Sequence, residues 1–179
     1  MYSRIMVAID GSEPSAAGLA EAIRVARMTG GDLTIVHVVE PLTGGHGFEP
    51  ATAYVRDSYP RIRQVAERLL VDARARAQAA GVRAEVVLRE SIAESLARLI
   101  VDCAIEHRIE LIVIGTHGRH GVSRLVLGSD AERVLRLAPM PVLLVKVPGE
   151  KAAAASVPTA AATACPSTFH DRATAGLRR

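Results

Sequence analysis

The segment from Gly115 to Ser129 combines glycines, histidines and arginines in a pattern suited to holding a phosphate. It follows a short apolar run, Leu111 to Ile114, and precedes a helical pattern, Ala131 to Ala138. Glycines let backbone N–H groups approach an anion without a clash from Cβ. The start of a helix adds unpaired N–H donors and the positive end of its dipole. The order strand, glycine-rich loop, helix therefore predicts a site for the phosphates of a nucleotide.

A carboxylate, Asp10, directly follows the first apolar run, Ile5 to Ile9. Ligands of open α/β sheets bind beyond the carboxyl ends of the strands, where the strand order reverses. If the first and fourth strands flank that point, Asp10 faces the glycine-rich loop and can accept hydrogen bonds from ribose hydroxyls or an adenine amine. The sequence Asp10-Gly11-Ser12 is also typical of an Asx-type turn before a helix. The residues alone leave both interpretations open.

Residues that other nucleotide and hydrolytic chemistries require are missing from the sequence. There is no G-x-x-x-x-G-K-[ST] motif, and no lysine follows the glycines to contact the β- and γ-phosphates, which excludes a Walker-type ATPase. The turn after the first strand contains one glycine, Gly11, so the dinucleotide-binding fingerprint is absent. A G-x-S-x-G nucleophile elbow is also absent.

None of the six histidines has the spacing of a metal ligand. His117 and His120 lie three residues apart in the glycine-rich loop, where they can approach an anion. We interpret them as loop residues that face solvent rather than as metal ligands. His37 falls within a predicted strand, and we interpret it as a buried histidine with a hydrogen-bond partner rather than as a base.

Five apolar runs are predicted as strands, and four segments with helical spacing lie between them. The strands are Ile5 to Ile9, Leu33 to Val39, Ala84 to Leu88, Leu111 to Ile114 and Val142 to Val147. Alternation of strands and helices predicts parallel pairing, because a crossover helix returns the chain to the same edge. The strands are apolar throughout, which is typical of a sheet covered on both faces.

Caps and helical spacing indicate where the helices begin and end. The first helix is predicted to begin after Ser12 as its N-cap and to stop at Gly30-Gly31. The apolar positions of the first three helices are Ala16, Leu19, Ile23 and Ala26; then Ile62, Ala66, Leu69 and Ala73, closed by Gly81; then Ile92, Leu96, Leu99 and Cys103. The third helix is predicted to begin at a capping box, Ser91 to Glu94, and the last to cover Ser129 to Ala138.

Length and composition limit the class of protein. A chain of 179 residues supports one well-buried domain. Aromatic residues make up 3% of the chain, Trp is absent and the formal charge is only +3, so no nucleic-acid partner is expected. No apolar run approaches the roughly 20 residues of a membrane span, and the amino terminus leads into a strand rather than a signal sequence. We therefore expect a cytoplasmic protein without a membrane partner.

The chain divides at about residue 148. Residues 1–148 carry the α/β pattern, whereas residues 149–179 are rich in Ala, Pro, Ser and Thr and are predicted to form a flexible tail. Of the two cysteines, Cys103 lies among the apolar positions of a helix and is predicted to be a small core residue. The other, Cys165, lies in the tail.

The glycine-rich segment resembles a family motif. Gly115-x-x-Gly118, nine residues, then Gly128-Ser129 resembles the G-2x-G-9x-G-[S/T] motif of the ATP-binding universal stress proteins. Three other segments look like strands of that family: Met6 to Ser12, Val36 to Val38 and Pro139 to Val145. The resemblance covers about Met1 to Val147.

The resemblance implies a Rossmann-like fold similar to that of the adenine nucleotide alpha hydrolases. Its five-stranded parallel sheet has the order 3-2-1-4-5, with helices on both faces. The implied ATP contacts are adenine near Asp10 and the main chain of Val38, ribose near Asp10 and Gly115, and phosphates over Gly118, Gly128 and Ser129, with His117 and Arg119 in the same loop. The cofactor implied is ATP, with Mg²⁺ held through the phosphates.

Two residues at the start of the last helix are open to more than one interpretation. Ser129-x-x-Glu132 matches a capping box, so Ser129 can serve as helix cap, phosphate ligand or both. Asp130 would repel phosphates unless a cation, Arg119 or Arg124 offsets its charge. In the first turn of the helix, however, its carboxylate favours the helix dipole.

The function that we expect is that of an ATP-binding regulatory protein in stress survival. A homodimer is expected to form through strand 142–147, since an apolar edge strand invites pairing and family members generally dimerise. The alternatives are a slow nucleotide hydrolase, a phosphoacceptor receiver domain and a dimeric adaptor that binds no nucleotide. The receiver is disfavoured because the third strand ends in Leu88-Arg89-Glu90, without its aspartate.

Overall fold

A computed structural model of the chain describes residues 2–39, 59–91, 94–116 and 128–147. These residues contain a five-stranded parallel sheet. The strands are β1 (Arg4–Ala8), β2 (Asp32–Val39), β3 (Ala84–Glu90), β4 (Leu111–Gly115) and β5 (Val142–Val145). Their order is β3-β2-β1-β4-β5, so the predicted order is confirmed.

Four helices lie among the described residues: α1 (Glu13–Thr29), α2 (Tyr59–Ala79), α3 (Leu96–Glu106) and α4 (Ser129–Leu137). None of them is long and apolar enough to cross a membrane. The predicted boundaries of α1 are confirmed. The hydroxyl of Ser12 accepts a hydrogen bond from the N–H of Ser15, and Gly30 closes the helix with a left-handed φ of 68°.

Helices cover both faces of the sheet, as the apolar strands predicted. Alternate residues of β1 supply the two cores: Ile5 and Val7 pack with α1 and α2, whereas Met6 packs with α3 and α4. These three side chains are fully buried. Cys103, on α3, is 1% exposed, which confirms its predicted place in the core.

The prediction that α3 begins at a capping box from Ser91 to Glu94 is wrong. Its N-cap is Ser95, whose hydroxyl accepts from the N–H of Arg98 at 3.3 Å. The N–H of Ser91 instead donates to Val39 across the β2–β3 pair, and its hydroxyl donates to the carbonyl of Glu94. Because Ser91 still belongs to the strand pairing, the helix starts later and buries a shifted set of residues: Ala97, Ile100, Val101, Cys103 and Ala104.

The predicted buried faces of α1 and α2 are confirmed in part: Leu19, Ala26, Ala66 and Ala73 are buried, whereas Ile23 and Leu69 are only partly buried. The residues buried on α1 are Ser15, Gly18, Leu19, Ala22 and Ala26, and those on α2 are Ala66, Leu70, Ala73 and Ala77. The strand β5 is shorter than predicted and ends at Val145 instead of Val147. The last pairing between β4 and β5 joins Gly115 to Val145, which is where β4 itself ends.

Candidate functional site

The end of β1 lies between the ends of β2 and β4. In the register of the sheet, Ala8 pairs with Val36 on one side and with Ile114 on the other. The chain leaves β2 toward β3 and leaves β4 toward β5, so strand order reverses between β1 and β4. Reversals of this kind open a crevice beyond the carboxyl ends of the two strands. The candidate site is therefore at Asp10 and at the residues that follow β4.

The carboxylate of Asp10 organises the turn between β1 and α1. Its Oδ1 atom accepts from the N–H of Ser12 at 2.9 Å and from the hydroxyl of Ser12 at 2.6 Å. This arrangement confirms the Asx-type turn, one of the two interpretations open from the sequence. Gly11, between them, has a φ of 82°, which a residue with a Cβ rarely adopts.

Ser15 ties the same turn to the first helix. Its hydroxyl donates to the carbonyl of Ser12 at 3.0 Å and accepts from the N–H of Asp10 at 3.3 Å. Ser15 is 6% exposed, so these bonds are shielded from water. Asp10 is thereby held at the amino end of α1, where the helix dipole favours a negative charge.

Gly115, the first glycine of the motif, lies against the first turn of α1. A Cβ atom at Gly115 would be 2.6 Å from the carbonyl oxygen of Pro14 and 3.0 Å from the backbone nitrogen of Ser15. Such distances are too short for any side chain. The close packing of α1 on β4 therefore explains the glycine by itself. The predicted contact of Gly115 with ribose stays a prediction.

Thr116 and Gly128, which flank segment 117–127, are joined by a backbone hydrogen bond. The N–H of Thr116 donates to Val145 on β5, and its carbonyl accepts from the N–H of Gly128 at 2.7 Å. Thr116 is 3% exposed. The chain therefore leaves β4 and begins α4 at one point beside the crevice. His117, Gly118 and Arg119, which were assigned to the phosphates, lie outside the described residues.

The start of α4 differs from the predicted capping box. Gly128 is the N-cap, and Ser129 is the first residue of the helix rather than its cap. No side chain among the described residues caps this helix. The backbone of Gly128 is extended (φ −59°, ψ 142°), as an N-cap residue requires. Glycine, however, has no side chain that could cap the helix. Asp130 lies in the first turn, as one of its two interpretations required.

His37 and Val38 lie at the end of β2, next to the Asp10 turn. His37 is 7% exposed, and its Nδ1 atom is 2.6 Å from the carbonyl oxygen of Ile9. The prediction of a buried histidine with a hydrogen-bond partner is confirmed. Val38 is 8% exposed and pairs with Arg89 of β3. The predicted contact between its main chain and adenine stays a prediction.

Ionisable groups outside the crevice show the clearest pKa shifts. Burial raises the pKa of the Cys103 thiol, and the nearby guanidinium of Arg89 only partly opposes this shift. The thiol therefore stays protonated at neutral pH and is a poor nucleophile.

Among the described residues, no group of three or more His, Cys, Asp and Glu side chains could hold a metal ion.

Two structural residues of the site were not predicted from the sequence. Thr116 uses both of its backbone groups to join β5, β4 and the start of α4, and its signal is a polar residue placed directly after an apolar run. Ser15 connects Asp10 to α1, and a second serine three residues after an N-cap is its signal. The Pro14–Gly115 contact has no local signal, because about one hundred residues separate its partners.

The chain is similar to known proteins of a single family. The model of the universal stress protein family matches residues 1–146. A universal stress protein of Thermus aquaticus is 34% identical over 148 residues, which cover 82% of this chain and all of the relative. A universal stress protein of Bacillus subtilis is 29% identical over 151 residues, again with full coverage of the relative.

Solved structures agree with this placement. A universal stress family protein from Burkholderia pseudomallei is 33% identical, with a TM-score of 0.64 over 80% of this chain and 96% of its own. Two further universal stress proteins carry ligands. One is in complex with cAMP (25% identity, TM-score 0.57; 82% of this chain and 98% of its own covered). The other, from Archaeoglobus fulgidus, is in complex with dAMP (27% identity, TM-score 0.57; 81% and 98% covered). The match over nearly the whole described chain shows that this protein belongs to the universal stress protein family.

Proposed function

We propose that the protein binds an adenine nucleotide in the crevice between the ends of β1 and β4. One observation carries the proposal: the Asp10 turn lies beside the point where β4 ends and the uncapped α4 begins. A carboxylate at one side suits ribose hydroxyls or an adenine amine. Unpaired N–H groups and a helix dipole at the other side suit phosphates. A nucleotide carries both kinds of group in one molecule.

The relatives support the ligand class. The two ligand-bound family members hold cAMP and dAMP, which share adenine, a ribose-type sugar and one phosphate. In this protein we assign adenine to Asp10 and to the main chain of Val38, and ribose to Asp10 and Gly115. We assign the phosphates to Gly128 and Ser129. The sequence motif adds His117, Gly118 and Arg119 to the phosphate site.

Ser129 is well placed for this role because it does not cap the helix. At the first helical position, its hydroxyl lies at the amino end of α4 without a capping bond to the backbone. Asp130 follows it, so a polyphosphate would bring negative charge close to a carboxylate. We therefore propose ATP with Mg²⁺ bound through the phosphates, since the cation offsets part of that repulsion.

A regulatory role fits this site better than rapid catalysis. The sequence has no Walker lysine, and we assign no side chain as a base for water. We propose a cytoplasmic regulator whose nucleotide is hydrolysed slowly or not at all. Turnover in the ordinary enzyme range, on the order of 10 per second, would contradict this assignment.

We also propose that two copies pair through β5. The strand is at the edge of the sheet and is half-buried, and Leu135 and Leu137 on α4 are 45% and 44% exposed. The carbonyl of Pro141 accepts from the N–H of Ile112 on β4, and that of Val145 accepts from the N–H of Thr116 just after it. Because successive residues of a strand point their backbone groups to opposite sides, Leu144 directs its N–H and carbonyl away from β4. A second copy would pair with those groups and cover the leucines.

The nucleotide proposal is tested by calorimetry with ATP, ADP and AMP, with and without Mg²⁺, on protein stripped of co-purified ligand. Mass spectrometry identifies the ligand that is released on stripping. We expect saturable binding at one site per chain, and a Gly128→Val variant should lose it because its side chain occupies the approach to the first turn of α4. Wild-type affinity in that variant would move the site elsewhere.

A further inference from the structure

We infer that His37 is a positioning residue of the nucleotide crevice. Its buried ring holds the peptide group between Ile9 and Asp10 and so sets where Asp10 lies. The inference rests on the proposed function, because it treats Asp10 as a contact of the nucleotide. It assigns His37 no direct contact with the ligand.

The hydrogen bond to Ile9 defines the state of the ring. The Nδ1 atom of His37 is 2.6 Å from the carbonyl oxygen of Ile9. A carbonyl oxygen only accepts hydrogen bonds, so Nδ1 carries a hydrogen and donates it. His37 and Ile9 are 7% and 6% exposed, so water does not readily replace the ring as donor. A buried carbonyl without a donor is costly, which makes this bond hard to break.

The hydrogen bond between His37 and Ile9 is important because Ile9 lies directly between β1 and the Asp10 turn. The strand β1 ends at Ala8, one residue earlier. Beyond that residue the N–H of Ile9 still donates to Val36, at 2.9 Å. The carbonyl of Ile9 belongs to the peptide whose nitrogen is that of Asp10. Its orientation therefore fixes the direction in which the chain turns toward α1.

The other bond of that peptide is longer. The N–H of Asp10 donates to the hydroxyl of Ser15 at 3.3 Å. The short bond from His37 thus fixes one end of the peptide from β2, while Ser15 holds the other from α1. Loss of the His37 bond would remove a buried contact between this peptide and β2. On the other side of the crevice, the N–H of Thr116 donates to the carbonyl of Val145 on β5.

The chain offers a matched control on the same strand. Thr34 is 5% exposed, and its hydroxyl donates to Oε1 of Glu85 at 2.8 Å. It lies at the opposite end of β2, away from the crevice. Thr34→Val removes one partly buried side-chain hydrogen bond with little change in volume. It should lower the stability of the protein and leave the crevice unchanged.

Three substitutions of His37 separate the donor from the ring. Asn carries its amide group on Cγ, as His carries Nδ1, so His37→Asn keeps a donor at the required place. Gln carries its amide one bond further out, so His37→Gln fills the space but displaces the donor. His37→Phe keeps a ring and removes the donor. If the position of the donor matters, Asn rescues and Gln does not.

The experiment measures the stability of the Asp10 turn and the affinity for nucleotide separately. Amide hydrogen exchange in the nucleotide-free protein reports on the N–H groups of Ile9, Asp10 and Ser12. We expect exchange there to be about tenfold faster in His37→Phe and His37→Gln, and nearly unchanged in His37→Asn and Thr34→Val. Calorimetry with ATP should show about tenfold weaker binding in the same two variants and changes within about threefold in the others.

Each outcome decides one of the two proposals. Unchanged exchange in His37→Gln and His37→Phe overturns the inference, whether or not nucleotide binds. Faster exchange with wild-type affinity also overturns it, because the turn would then not govern binding. Affinity losses in Thr34→Val as large as those at His37 show a general effect of stability and overturn it as well. Absence of binding of ATP, ADP and AMP to the wild type overturns the proposed function itself. The comparison of Gln with Asn remains decisive if the Phe variant does not fold.

Discussion

The α-carbon of Gly115 packs so tightly against Pro14 that a Cβ atom there would lie 2.6 Å from the Pro14 carbonyl oxygen. Gly115 ends β4, and Pro14 lies in the first turn of α1. The contact joins the two sides of the crevice, because Asp10 is hydrogen-bonded to that same turn. A change at Gly115 should therefore disturb both the stability of the protein and the geometry of the site.

Gly115→Ala should lower the free energy of unfolding by about 1–3 kcal/mol, because the added methyl group displaces backbone rather than a flexible side chain. Urea unfolding measures the change. Gly18→Ala is the matched control on α1. Its Cβ would lie 3.4 Å from the nitrogen of Gly115, and Ala gains helix propensity over Gly. Equal losses of stability in the two variants would show that the close contact with Pro14 does not destabilise Gly115→Ala.

Substitutions of Asp10 should distinguish the contribution of its hydrogen bonds to the turn from the contribution of its charge. Asp10→Asn retains an oxygen that accepts from Ser12, so we expect stability near that of the wild type. Asp10→Ala removes both hydrogen bonds to Ser12 and should cost about 1–2 kcal/mol in urea unfolding. ATP binding, measured by calorimetry, should fall in the alanine variant by about tenfold or more. Full affinity in that variant would remove Asp10 from the nucleotide site.

The buried thiol of Cys103 should make the protein less stable at alkaline pH. Burial raises the pKa of Cys103 in the folded state above its unfolded value of about 8.5. The unfolded chain therefore loses the thiol proton first. The free energy of unfolding then falls as pH rises from the unfolded pKa to the folded one.

Urea unfolding between pH 7 and pH 10 checks this dependence. In Cys103→Ala the fall should be smaller than in the wild type, although the variant is less stable at pH 7 because of the lost side chain. A thiol reagent should also modify Cys103 only after unfolding, in a Cys165→Ser background that leaves one cysteine. Rapid labelling of the folded protein would contradict the buried position of Cys103.

Removal of residues 149–179 should leave the fold unchanged. This segment contains few large apolar side chains, so it contributes little to a core. We expect the melting temperature of the shortened chain to stay within a few degrees of that of the whole protein, by calorimetry. A large fall would show that the segment packs on the domain.

Leu144→Pro should shift the protein from dimer to monomer. The backbone N–H of Leu144 points away from β4, so proline removes a donor from the free edge and leaves the β4–β5 pairing intact. Sedimentation measures the mass, and circular dichroism checks that the chain is folded. A monomeric wild type at micromolar concentration would overturn pairing through β5. A dimer unaffected by the substitution would place the interface elsewhere.

Local sequence is enough to predict the elements and several of their ends. Unbroken apolar runs are typical of strands buried on both faces, and the predicted roles of Ser12 and Gly30 at the ends of α1 are confirmed. The glycine spacing from Gly115 to Ser129 supplied the family resemblance, and with it the strand order. The apolar runs and the helix ends depend on neighbouring residues, whose conformational preferences act over a few positions.

Which distant residues come into contact depends on the packing of the sheet and helices. Ser95 rather than Ser91 caps α3, because the N–H of Ser91 donates to the carbonyl of Val39 at the end of β2. The packing also placed the two contacts described above, that of His37 with the carbonyl of Ile9 and that of Gly115 with Pro14. Such contacts join residues far apart in the chain, so they depend on how the sheet and helices pack. No local pattern contains that information, because each partner is compatible with many surroundings until the sheet forms.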